Sequence, residues 1–252
     1  NPKFVKSNMI DVQLPKSKEF FINSLKNNKI IFEDEKILQT NIYVKQQGAG
    51  NGKTYGVVQL IQDDDFIHYD TFVYLTKQHS AVHVINNEIN AQIERGDLDD
   101  IEILNNEKIS KKYIINFQNK KSKIQRKIII GTFDSFVYSL GNQQIKAVDK
   151  FVAMAKSIID EELKCSRSGN VKYAGGITLN KKLLLIGDEM QDLSEEYIKA
   201  VIKITRDRYV DFYGVGDLLQ SISIKKNSFR FLQKNELPND TIKVTKYESS
   251  NI

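Results

Sequence analysis

The sequence predicts an α/β fold in which a mainly parallel sheet is flanked by helices, and three observations carry that prediction. Apolar runs rich in β-branched residues recur at Asn41–Val44, Thr71–Leu75, Lys127–Ile130, Lys181–Ile186 and Asp211–Val215. These read as strands buried on both faces. Each is followed by a polar or helix-like stretch, the spacing that parallel strands need for their crossovers.

Taken in order, Lys16–Asn27 places Phe20, Phe21, Ile22 and Leu25 at near-helical spacing, so residues 1–40 read as a helical lead-in to the first strand. Val148–Leu163 and Ser194–Ile204 read as amphipathic helices, with Ser194 and Glu195 as a helix start. Between the second and third strands Glu94–Glu102 is acidic. By contrast Lys108, Lys111, Lys112, Lys120, Lys121, Lys123, Arg126 and Lys127 follow with no acid between Lys108 and Lys127. This predicts a basic surface excursion at about 95–127, either a solvated charged face or a nucleic-acid backbone contact. Lys164–Asn180, with Cys165, Gly169, Gly175 and Gly176, is irregular.

Composition narrows the class. A chain of 252 residues can bury a core without disulfide staples, and 40% apolar with 27% charged residues excludes wholesale disorder. Its apolar runs, such as Ile128–Ile130 and Leu183–Ile186, fall far short of the ~20 residues of a membrane helix. The amino terminus lacks a signal-peptide core. The single Cys165 fits an intracellular, reducing compartment, nucleus and cytoplasm alike, and its plainest role is that of a spectator. A net charge of +5 favours polyanionic partners, yet only six residues are Arg. The start at Asn1 suggests a processed product or an excised piece.

The chemistry begins after the first strand, in Gln47-Gly48-Ala49-Gly50-Asn51-Gly52-Lys53-Thr54. Its glycines let successive N–H groups turn inward, and a helix starting near Lys53 adds partial positive charge. Lys53 would reach the β- and γ-phosphates and Thr54 would hold Mg²⁺. The pattern G-x-x-x-x-G-K-S/T wants Gly where Gln47 stands, so an ordinary strand-to-helix turn is the other reading of this stretch.

The fourth strand ends in Asp188 and Glu189, followed by Met190-Gln191-Asp192-Leu193-Ser194. Acids at the carboxyl edge of an open sheet lie where such folds bind ligands. Asp188 could take the Mg²⁺, and Glu189 could orient and deprotonate a water. Asp192 and Ser194 better suit the capping of the next helix. The last strand leads into Gly216-Asp217-Leu218-Leu219-Gln220, and Gln220 offers both a donor and an acceptor to a γ-phosphate without adding charge. His79 and His83 have no metal-ligand spacing and read as surface histidines.

On these stretches the chain resembles the superfamily 1 helicases of the UvrD/Rep/PcrA-like branch. Motif I there is similar to A-x-A-G-S-G-K-T. Motif II is similar to D-E-x-Q-D, matched by Asp188–Asp192, and motif III to V-G-D-x-x-Q-S-I, matched by Val215–Ile222. Weaker matches are Thr76–Ala81 and Gly131–Phe136, at the positions of motifs Ia and Ib. The resemblance implies a RecA-like P-loop NTPase over 41–252, with a reduced insertion at about 141–180 and with ATP and Mg²⁺ as cofactors. It further implies single-stranded DNA, in preference to RNA, as a partner. By carry-over Gly48, Ala49, Gly50, Asn51, Gly52 and Lys53 bind nucleotide, Thr54 and Asp188 bind Mg²⁺, and Glu189 is the catalytic base. Gln220 then couples the γ-phosphate to the strand, which Thr76, Thr132 and Ser135 hold through phosphates. Phe133 or Phe136 would stack on a base, with core packing as their other reading. Phe229 and Arg230 would fill a later strand contact, with Lys225 and Lys226 as the other candidates, and Tyr247 would stack on the adenine.

Two residues depart from the family pattern. Asp134 stands where the family often has His, and an acid there repels a phosphate unless it points away. Glu248 stands where an Arg would touch the γ-phosphate, which opposes turnover. The resemblance also implies a second RecA-like domain in the same parent chain after Ile252, without which hydrolysis would be poor. The expected function is therefore Mg²⁺-dependent ATP hydrolysis coupled to single-stranded DNA binding. The alternatives are a P-loop module that has lost turnover and a nucleotide kinase, against which the absence of an Arg-rich stretch argues. For adenine recognition Gln13 and Gln39 are equal candidates.

Overall fold

A computed structural model describes residues 40–48, 50–140, 149–160, 172–173, 177–178, 182–208, 210–220 and 242–248. The lead-in helix, the Ala49 contact, Cys165, Gln13, Gln39, Lys225, Lys226, Phe229 and Arg230 lie outside these residues. The strands are β1 (Thr40–Gln46), β2 (Thr71–Thr76), β3 (Ile101–Ile109), β4 (Lys112–Asn119), β5 (Gln125–Thr132), β6 (Lys172–Tyr173), β7 (Ile177–Thr178), β8 (Leu183–Gly187), β9 (Asp211–Gly216) and β10 (Ile242–Glu248). Between them run α1 (Lys53–Gln59), α2 (His79–Arg95), α3 (Phe133–Leu140), α4 (Lys150–Ile159) and α5 (Glu195–Arg208).

Among the described residues eight strands form one sheet in the order β10-β1-β9-β8-β2-β5-β4-β3, and β6 pairs with β7 apart from it. From β10 to β5 every neighbouring pair is parallel, whereas β4 and β3 add an antiparallel edge. The protein is thus an α/β structure with a mainly parallel sheet and helices on both faces. Successive side chains of a strand point to opposite faces. In β2, Phe72 and Tyr74 pack with α1 and α2, through Val57, Val58, Val82, Ile85 and Ile89. Val73 and Leu75 pack instead with α3, α4 and α5, through Phe136, Met154, Ile158, Ile198 and Val201. Each such buried side chain contributes about 1.5–3 kcal/mol.

Local chemistry sets the helix ends. Gly96, at φ 80, closes α2 by donating to the carbonyls of Gln92 and Ile93, with Arg95 in the last turn. Asp149 caps α4 by accepting from Val152 N. At the amino edge of the sheet the fully buried Asp211 accepts from Asn41 N at 2.8 Å, Asn41 Nδ2 at 3.1 Å and Tyr69 OH at 2.5 Å. That carboxylate pins β1, β9 and the segment before β2 together.

The basic excursion is a finding about strands. Residues 101–119 form a hairpin that continues the sheet beyond β5, with Tyr113 opposite Ile130 and Gln118 opposite Gln125. No helix among the described residues is long and apolar enough to cross a membrane.

Candidate functional site

Because β1, β2, β5, β8 and β9 run the same way, the loops that follow them share one rim of the sheet. The loop after β1 is held by Gln47, whose N donates to Gly216 O at 3.0 Å and whose side-chain amide donates to Asn51 O. Gly50 and Gly52 stand at φ 71 and 73, a backbone region that costs other residues about 1 kcal/mol or more. Gly52 leads into α1, whose first turn has no side-chain cap. Gly48 and Asn51 complete the described part of the loop, and Asn51 N donates to Gly48 O.

Lys53 is 9% exposed, and its ammonium lies 3.0 Å from Gln220 Oε1 and 3.6 Å from Glu189 Oε1. One cation thereby joins the loops after β1, β8 and β9. Asp188 is 4% exposed, with its N donating to Leu75 O and its Oδ1 accepting from Glu189 N at 2.9 Å. Burial, then the charge of Glu189, pushes the Asp188 carboxyl up to about 6, against the opposing pull of the Glu189 N–H and of Lys53. Glu189 itself sits at φ 52, strained for a residue with a side chain.

The loop after β9 turns on Asp217, whose Oδ1 accepts from Leu219 N and whose carbonyl accepts from Gln220 N. Gln220 is exposed at this rim. Gln191 carries a role that the sequence left unassigned. It is 3% exposed, donates to Glu189 Oε2 and accepts from Asp217 N, so it links two of the three loops. The D-E-x-Q-D spacing located it, but only the fold shows both partners.

Oxygen donors suited to Mg²⁺ are present in the half-buried Thr54 hydroxyl and the Asp188 carboxylate. A carboxylate buried to this degree and raised in pKa is one that a cation would relieve, so the donor set fits the metal. Among the described residues no group of three or more His, Cys, Asp or Glu side chains stands ready for a metal. For Tyr247 the backbone register is defined, opposite Lys45 and next to the Glu248–Gln46 pair.

The residues expected to touch a strand need correction. Phe133 and Phe136 are both 0% exposed and belong to the core under β2 and β5, so neither ring offers a face to a base. Thr76 is 1% exposed and donates to Gln78 O. Thr132 is 2% exposed; its hydroxyl accepts from Ser135 N, while Ser135 Oγ donates to Thr132 O. These hydroxyls serve the strand-to-helix turns. The carboxylate of Asp134 has a protein partner, accepting from Tyr197 OH at 2.5 Å. On this rim Lys77 and Gln78 are exposed, and Lys77 Nζ donates to Asp192 O.

No family model matches the chain, and no curated protein matches its sequence. Among solved structures it is similar to the large terminase ATPase domain of Thermus phage P74-26, in a mutant form. That likeness has a TM-score of 0.37 and 7% identity, over 98% of this chain and 86% of that one. It is also similar to the Phi-28 gp11 DNA packaging motor, with a TM-score of 0.34 and 12% identity over 84% of this chain, which spans 57% of that one.

Proposed function

We propose that the chain is an ATP-binding and ATP-hydrolysing P-loop motor domain of the superfamily 1 helicase or translocase kind, coupling Mg²⁺-dependent hydrolysis to a single strand of DNA. The observation that carries this reading is the convergence of Lys53, Glu189 and Gln220 within 3.0–3.6 Å of one ammonium group. Phosphoryl transfer asks a protein mainly for positioning and charge neutralisation, and these three side chains divide that work. Lys53 supplies positive charge beside the glycine loop. Glu189 accepts the proton of the attacking water, its carboxylate aimed by Gln191. Gln220 reads the terminal phosphate from the loop after β9.

Thr54 and Asp188 are the residues that would hold Mg²⁺, which would supply charge neutralisation to the phosphates. Tyr247, at the end of the strand beside β1, supplies the face for adenine. A second RecA-like domain of the parent chain completes the cleft. Glu248, in register with Gln46, favours a second reading in which nucleotide binds without turnover.

The test is phosphate release from the protein with and without single-stranded DNA, alongside nucleotide affinity. The motor reading expects release stimulated by the strand, loss of nucleotide affinity in Lys53→Ala, and retained ATP binding without hydrolysis in Glu189→Gln. Nucleotide binding with no release under either condition supports the second reading, and transfer to a nucleoside monophosphate supports a kinase. Unchanged hydrolysis in Glu189→Gln removes Glu189 as the base.

A further inference from the structure

The basic run of the hairpin divides into two groups that differ in what they touch. At its base, by the amino edge of the sheet, Lys120 Nζ donates to Asp99 O at 2.7 Å, Lys121 pairs with Asp100 at 2.9 Å and Lys123 pairs with Glu102 at 3.7 Å. Arg95 is held there too, by Glu88 and Asp97. The acidic stretch thus neutralises the near half of the basic one. At the tip the situation is reversed. Lys108 and Lys111 are exposed, and neither pairs with a carboxylate among the described residues. The adjacent Glu107 accepts from Asn105 Nδ2 instead.

The tip also has a defined position. Since β4 runs antiparallel to β5, with Tyr113 opposite Ile130, the turn at Ser110–Lys111 stands on the carboxyl rim, the same rim as Lys53 and Lys77. Strand spacing of ~4.8 Å puts it within roughly 10 Å of the end of β5. Lys108 Nζ lies 5.8 Å from the centre of the Tyr113 ring, and Tyr113 OH shares a 2.7 Å hydrogen bond with His83 Nδ1. Cationic side chains beside an aromatic ring suit a single strand, which offers phosphates and stackable bases together.

We propose that this tip, through Lys108, Lys111 and Tyr113, binds the backbone of a single-stranded nucleic acid as it leaves the rim above β2 and β5. The proposal rests on the nucleic-acid part of the reading above. It supplies the exposed contacts that the buried Phe133, Phe136, Thr76 and Thr132 do not.

The experiment titrates a fluorescent oligothymidylate with the wild-type chain, the pair Lys108→Gln/Lys111→Gln and the pair Lys121→Gln/Lys123→Gln, at several salt concentrations. Each pair removes the same charge from an exposed surface, and melting temperatures verify the fold of both. The tip pair is expected to weaken binding about ten-fold or more near 0.1 M salt and to reduce the slope of log affinity against log salt by about 1.4, from ~0.7 per lost phosphate contact. The base pair is expected to stay within about two-fold of wild type. A tip pair that binds like wild type, or a base pair that loses as much, overturns the proposal. A wild-type chain with no affinity for the oligonucleotide overturns the nucleic-acid reading itself, a result distinct from either of those.

Discussion

Gln191 holds Glu189 from behind: its Nε2 donates to Glu189 Oε2 at 2.5 Å, while its Oε1 accepts from Asp217 N at 3.0 Å. Glu189 is strained at φ 52 and partly exposed, so the aim of its carboxylate depends on a neighbour that is almost wholly buried. The same amide reaches the loop that carries Gln220, which puts Glu189 and that loop on one mechanical link.

Replacing Gln191 by Ala is therefore expected to leave nucleotide affinity within a few-fold and to lower strand-stimulated turnover by about 10- to 100-fold, the cost of a loosely aimed base. Measuring affinity and turnover separately checks this; equal losses in both would mean that the loop merely unfolds.

Gly216 gives a steric version of the same test. A Cβ at this position would stand 2.6 Å from Gln191 Oε1 and 3.3 Å from the backbone N atoms of Met190 and Gln191. Because two of those neighbours are backbone, the amide of Gln191 must give way. Gly216→Ala is expected to cost about 1–3 kcal/mol of stability and to lower turnover as Gln191→Ala does. Thermal unfolding and phosphate release on one sample decide it, and unchanged values for both would contradict the packing.

The parallel strands were legible because burial on both faces leaves a continuous apolar run, as in Leu183–Ile186. β3 was not, since its outer edge is exposed and Glu102–Ile109 carries no apolar face for a period to show. Within the site, the sequence put Lys53, Glu189 and Gln220 in loops after three separate strands, and the fold brings those three side chains to one rim. The sequence did not show what Thr76, Thr132 and Asp134 do. Their partners are a carbonyl or amide a few residues away, or Tyr197 on a distant helix, and hydroxyls near a rim read the same whether they face a ligand or a turn.

At the opposite edge, Tyr69→Phe removes a 2.5 Å hydrogen bond to the buried Asp211 and leaves Asn41 as the donor shown on that carboxylate. Removing a donor from a buried charge costs about 1–3 kcal/mol. The substitution is expected to lower the melting temperature by several degrees and to leave nucleotide affinity unchanged, because the loops proposed to bind nucleotide leave the other end of the strands. Denaturant unfolding with a nucleotide titration separates the two effects.

Asp188 sets a pH dependence whose sign follows from its burial. Its carboxyl is raised from an ordinary value of 3.8 to about 6, chiefly by desolvation. Between those values the folded protein keeps a proton that the unfolded chain has released, so the contribution of Asp188 to stability falls as pH rises across that window and stays low above it. The full span is worth on the order of 3 kcal/mol. Without metal, Asp188→Asn is expected to melt higher than the parent above about pH 6 and to converge with it towards pH 4. Added Mg²⁺ is expected to stabilise the parent at neutral pH, to do less for Asp188→Asn, and to do less for the parent itself below about pH 6, where a proton competes for the same oxygen. Melting curves of both proteins in chelator and in Mg²⁺, from about pH 4 to 8, test it. Parallel curves for the two proteins would show that Asp188 keeps an ordinary carboxylate and holds no cation.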